Sequence, residues 1–233
     1  MCFMPGVGLG GGVNETLSVK QADKIIEEAN QIMSVCVKRM EEKSDAFVKK
    51  VSTVWEDKNA VDYMKLHKKN FDEFVKELGG NNRIFADRVK TIADAYIKAG
   101  GMAVAVAASP IALTANFIID AVKEFFANGE NADDFGFKNP TAGADQVMDA
   151  FGELKTGLQQ VAQDAINKIK SINAFGNTSV QLNLAQSAGA IVGILNEHIA
   201  KAEQQIKQHV GETAAGYTKI GSSAETSAKI SSC

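Results

Sequence analysis

Apolar residues recur along this chain at spacings of three, four and seven, with Lys, Glu and Asp filling the positions between them. After Ala22, the residues Ile26, Met33, Met40, Phe47 and Val54 fall one in every seven, with Ala29 and Cys36 on the same stripe. A seven-residue repeat holds one narrow stripe in register along a helix, so it predicts a coiled-coil-like helix over 18–54. Ser18 with Gln21 makes a capping box for its first free amides. Met64, Phe71, Leu78, Phe85 and Ile92 repeat the period over a second helix, 58–98, with Asp57 as its N-cap. Gly79-Gly80-Asn81-Asn82 lies inside that helix and leaves the period in phase. The helix either runs through, at a cost of about 2 kcal/mol from the two glycines, or kinks there.

Val147, Phe151, Leu154, Leu158, Val161, Ala165, Ile169 and Ile172 predict a third helix over 145–173. Leu184, Ala188, Ile191, Leu195, Ala202, Ile206, Val210 and Tyr217 predict a fourth over 178–219, capped by Thr178 with Gln181. Its stretch from Ala185 to Gly193, rich in Ala and Gly, would let a neighbouring helix approach closely. Short connections near Trp55 and Phe175 make sequential helices run in opposite directions. The predicted fold is all-α: an elongated antiparallel bundle of four long helices in one domain, with a central hydrophobic hairpin, or tongue.

That tongue is the run 99–119, which holds no charged residue between Lys98 and Asp120 and is long enough to cross a bilayer, for which about 20 residues suffice. Gly100, Gly101 and Ser109-Pro110 interrupt it, which argues against one continuous membrane helix. Two apolar arms, 102–108 and 111–119, turning back at Ser109-Pro110, are the expected form. A buried core helix or a hydrophobic lid is the alternative. The remaining chain reads as a flexible Gly-rich arm (1–16), a helical hairpin (17–98), the tongue (99–127), a loop (128–144), a second hairpin (145–221) and a flexible tail (222–233).

Composition narrows the function. Lys and Arg number 25 against 28 Asp and Glu, for a net charge of −3, so no basic field points to nucleic acid. Cys2, Cys36 and Cys233 imply no disulfide framework, and Cys36 falls at a core position. His67, His198 and His209 stand far apart, none at a metal-binding spacing, and read as helix-surface or stripe-edge residues. No nucleotide-binding or nucleophile motif occurs in the context it needs, so no catalytic residue, metal, cofactor or small-molecule substrate is expected. The N-terminal segment has no Lys or Arg before Lys20 and does not read as a Sec signal peptide.

Two resemblances add to this reading. Ala99-Gly100-Gly101, the Ala/Val arm through Val104 and Val106, and Pro110-Ile111-Ala112-Leu113 resemble the hydrophobic tongue of the cytolysin A family of α-helical pore-forming toxins. The tongue of that family also sits mid-chain, with two long helices on each side. The resemblance implies a protein secreted without a Sec signal that turns from a soluble to a membrane-bound form, with a lipid membrane as partner and a homo-oligomer or partner toxin component completing the pore. It makes Met102, Val104, Val106, Pro110, Ile111, Leu113, Phe117, Ile118 and Ile119 the membrane-inserting residues. Trp55-Glu56-Asp57 between two long helices, with Tyr63 eight positions on, also resembles the Trp-x-Gly helical-hairpin proteins of type VII secretion, although Asp57 stands where that family has glycine. This second resemblance implies a binding module whose exposed turn, with Trp55, Asp57 and Tyr63, contacts a partner.

Overall fold

The computed structural model describes residues 16–98, 100, 105–115 and 136–231, with 218–231 described as helical backbone. Four helices make up most of it: α1 (Val19–Ser52), α2 (Lys58–Lys98), α3 (Gly143–Ser171) and α4 (Thr178–Ser231). The described residues contain no strand, only a single antiparallel bridge between Trp55 and Phe137. The all-α bundle expected from the stripes is the fold observed.

The stripes do what their period requires. Ile26, Met33, Met40 and Phe47 of α1 and Met64, Phe71, Leu78 and Phe85 of α2 are buried in one continuous core with the predicted apolar positions of α3 and α4. Ser18 and Gln21 form the reciprocal capping box at the start of α1. Asp57 caps α2, its Oδ1 accepting the Ala60 amide at 2.8 Å. The cap of α4 lies one residue before its expected place: Asn177 Oδ1 accepts the Val180 amide at 2.9 Å, and Thr178 is the first helical residue. Helix α4 continues to Ser231 and does not stop near 219. Once a helix is nucleated, each further residue adds a hydrogen bond without a new nucleation cost, and Ala, Glu and Lys sustain it.

Pairings across the seams define the topology. Asn30 meets Asn82, and Ser44 meets His67, so α1 and α2 are antiparallel. Arg39 pairs with Asp164, and Lys50 with Glu153, which makes α1 antiparallel to α3 as well. Asn70 bonds Gln205, and Asn81 bonds Ser187, setting α4 antiparallel to α2. Each helix therefore has two neighbours, in the ring order α1, α2, α4, α3. Helices α2 and α3 consequently run in the same direction. The chain leaves α2 at one end of the bundle and must return along its length before α3 can begin.

The apolar run serves as part of that return. Residues 105–115 are neither helix nor strand, and they pass Ser109-Pro110 without a turn or bend. The expected fold-back there is not what this segment does. A crossover has distance to cover, and extended chain gains about 3.3 Å per residue where helix gains about 1.5 Å. Pro110 supplies no amide and holds Ser109 extended, so it favours the straight path. Residues 1–15 of the expected N-terminal arm, the tongue beyond 115 and most of the loop after it lie outside the described residues. Gly189 and Gly193 do not mediate a close helix approach, since both face outward and a Cβ on either would meet nothing within 4 Å.

Candidate functional site

The seat of the apolar run is built from α1 and α2, where Asp23, Asn30, Gly79 and Asn82 converge. Asp23 Oδ1 accepts the Ala108 amide at 2.7 Å. Asn30 Nδ2 donates to the Ser109 carbonyl at 2.7 Å, while Asn30 Oδ1 accepts from the Ile111 amide at 3.3 Å and from Asn82 Nδ2 at 2.9 Å. One carboxamide thus holds both neighbours of Pro110, and only one orientation of Asn30 gives every donor an acceptor. Side chains supply the hydrogen bonds that a helix or sheet would otherwise give this backbone.

The Gly79-Gly80-Asn81-Asn82 sequence is the other half of the seat. Helix α2 runs through it unbroken. A Cβ on Gly79 would lie 3.5 Å from the Leu113 Cβ, so the missing side chain leaves a shallow bed in which Leu113 rests. Asn81 points the other way, donating to the Ser187 carbonyl and hydroxyl of α4 at 3.1 Å each. Within 105–115, which lie as a strap across the bundle, only Ala108 is buried; Val106, Pro110, Ile111 and Leu113 are half-buried on the outside of the bundle. Met102, Val104, Phe117, Ile118 and Ile119 lie outside the described residues. No helix among the described residues is long and apolar enough to cross a membrane.

Replacing Asn30 by Ala is expected to strand the Ile111 amide and Asn82 Nδ2, weakening strap docking by about 2 kcal/mol. Amide hydrogen exchange at Ile111 should then quicken about 30-fold while the helix amides keep their protection.

Trp55, Asp57 and Tyr63 form no exposed contact turn. They are 0%, 7% and 1% exposed, enclosed by the chain's own α4 and returning crossover. Trp55 Nε1 donates to Thr213 Oγ1 at 3.2 Å, and the Thr213 hydroxyl donates to Asp57 Oδ2 at 2.6 Å. The Trp55 ring lies 5.9 Å from both Tyr63 and Phe137. The Tyr217 hydroxyl binds the amide of Phe137 at 2.6 Å and its carbonyl at 3.0 Å, so the chain's return is fastened where α1 turns into α2. Burial here follows from the crossover, which covers the turn; the spacing of Trp55 and Tyr63 in the sequence carries no sign of it.

Of the histidines, His67 is buried on the apolar stripe of α2 and His209 is half-buried, whereas His198, expected at the surface or a stripe edge, is buried. His67 and His198 are buried on the α2–α4 seam, and His209 reaches it from α4, its ring 5.8 Å from Tyr63. His67 Nε2 lies 2.7 Å from the Ser44 hydroxyl, with Phe47 and Tyr63 against its ring, and its Nδ1 has no partner. His198 stacks on Phe74 at 4.4 Å. Burial lowers the pKa of His67 to about 3, with the charge of His198 adding to it. Burial likewise brings His198 down to about 4, helped by Lys201 and opposed by Glu73. Burial also raises the Cys36 thiol to about 12, leaving it protonated and unreactive. Among the described residues no His, Cys, Asp or Glu side chains gather in a group that could hold a metal ion.

Compared with models of known families, with curated proteins and with solved structures, the chain matches none.

Proposed function

We propose that this chain is a membrane-active helical protein of the pore-forming kind, which carries its apolar run as a strap outside the bundle and delivers it into lipid. The observation that carries the reading is the seating of that run. Its described part, 105–115, lies along the α1–α2 seam, fastened by hydrogen bonds with Asp23 and Asn30, with Ala108 in the core, Val106, Leu113 and Ala115 packed against it, and every residue but Ala108 half-buried or exposed. Releasing its described part breaks the three hydrogen bonds with Asp23 and Asn30, worth about 1 kcal/mol each. Moving about 20 apolar residues into lipid returns well over 10 kcal/mol, even at a discounted area coefficient. The strap is a connection, so it can leave without unpairing any two helices.

Oligomerisation is part of the proposal, because one apolar segment leaves backbone groups unsatisfied in lipid and cannot line a channel. Action on membranes from outside a cell further requires export. Burial of Trp55 and Asp57 against Thr213 gives no support to the partner-binding turn of the Trp-x-Gly reading.

A designed disulfide tests the proposal. Gly79 and Leu113 offer a Cβ–Cβ separation of 3.5 Å, within the range a disulfide spans. In a background with Cys2 and Cys233 changed to Ser, oxidised G79C/L113C should leave dye-loaded vesicles intact, and reduction should restore leakage to the wild-type rate. Leakage indifferent to oxidation, or a wild-type protein that permeabilises no vesicle at any pH, would overturn it.

A further inference from the structure

Beside the strap, the outer face of α2 carries Lys76, Arg83 and Lys90, one in every seven residues and hence in line along the helix. They border an open groove of about 610 Å³ whose other wall is the strap from Ser109 to Leu113. Among the described residues the only acid lining it is Asp87, which stands 4.0 Å from Arg83. Lys76 and Lys90 make no ion pair among the described residues, whereas Lys65, Lys68 and Lys69 on the same helix are each within reach of a carboxylate. A chain of net charge −3 thus gathers cations where its apolar run is exposed.

We infer that this face of α2, with Pro110 to Leu113 beside it, is the surface by which the chain docks on anionic lipid membranes before the strap leaves its seat. The inference rests on the membrane reading above and adds the class of lipid and the side that meets it. Successive cations lie about 10 Å apart, so the three span about 20 Å. No single phosphate or small anion touches all three; an extended anionic surface does. A nucleic acid strand is also extended and anionic, but it gains from aromatic stacking platforms, and this groove is walled by Pro110, Ile111, Ala112 and Leu113. Aliphatic side chains next to a row of cations match the boundary between headgroups and acyl chains.

Vesicle flotation at low ionic strength tests this, with phosphatidylcholine alone and with phosphatidylserine added. Wild-type protein should float with the anionic vesicles only, and binding should fall at about 0.15 M salt, where the screening length is about 8 Å. Each juxtamembrane cation contributes about five-fold, so K76E/R83E/K90E should lose about 100-fold or more in affinity. K38E/K168E/K170E changes the net charge equally at exposed positions away from the groove and should stay within a few-fold of wild type. Oxidised G79C/L113C should still float with anionic vesicles while releasing no dye, since docking uses the strap in its seat. Equal binding to both vesicle types, or equal losses in the two triple variants, overturns the docking face. Leakage from neutral vesicles under either of those outcomes would leave the membrane reading standing, whereas flotation with no vesicle would end both.

Discussion

Acidification from pH 7.5 to 4 is expected to remove about 6 kcal/mol of bundle stability through His67 and His198. Both histidines are held neutral by burial, with folded pKa values of about 3 and about 4 against 6.5 for the free side chain. A group whose folded pKa is lowered binds its proton more readily in the unfolded chain. The stabilisation is therefore complete above pH 6.5 and declines steadily as the pH falls toward the folded values, at 1.36 kcal/mol per unit for each group. The groups facing His67 are Ser44 and Phe47 of α1, Tyr63 of α2 and His198 of α4, none of them an acid that could rescue the imidazolium. His198 has Glu73 to favour its charged form and Lys201 to oppose it. Glu73 and Glu203, whose pKa values are lowered by hydrogen bonds from Lys201 and from Lys207 and Lys155 respectively, begin to lose their contributions only as the pH falls through the ordinary carboxylate range, so the histidines act first. Urea unfolding midpoints at pH 7.5, 5.5 and 4 measure the effect. Ser44→Ala with His67→Leu removes both members of the buried polar pair and should flatten the profile by about half. An unchanged slope in that variant would remove His67 from the account.

Gly136→Ala is expected to destabilise the chain by about 3 kcal/mol, the upper end of what overpacking costs. A Cβ there would lie 2.1 Å from Thr213 Cγ2 and 2.5 Å from Asp57 Oδ2. Neither neighbour can yield cheaply: Thr213 Oγ1 bonds Trp55, Asn59 and Asp57, and Asp57 also caps α2. The Gly136 carbonyl in turn receives the Glu56 amide at 2.8 Å, which keeps its backbone close. Thr213→Ser deletes the clashing methyl and keeps the hydroxyl, so G136A/T213S should be more stable than the two single losses sum to. Thermal melts of the four proteins decide it, and strict additivity would place the clash elsewhere.

Core positions were legible in the sequence wherever a period declared them. Ile26 to Phe47, Met64 to Phe85 and the three-four pattern of α3 needed only helical geometry to name their buried face. The direction of helices joined by short turns was legible for the same reason. Which hairpin faces lie together was not, because α1 against α3 and α2 against α4 depend on the path of a crossover that has no period of its own. His198 shows the consequence: between Glu197 and Ile199 it reads as a stripe edge, and only the approach of Phe74 buries it. Asn30 is likewise one polar residue among many on α1 until the strap is laid across it. Pro110 was legible as a break in regular structure, but a proline that stops a helix permits a straight path as readily as a turn.

The crossover also decides how firmly the two hairpins belong to each other. They meet along two seams, α1 with α3 and α2 with α4, neither of which is closed by a short loop. Their association is a binding event made intramolecular by the connection 99–142, which fixes an effective concentration of one hairpin at the other. A hairpin from another copy offers the same surfaces and competes only when its own local concentration approaches that value. In dilute solution the connection wins and each chain closes on itself. The oligomer proposed above would form by copies trading hairpins on a crowded surface, through the same helix seams that the closed chain contains.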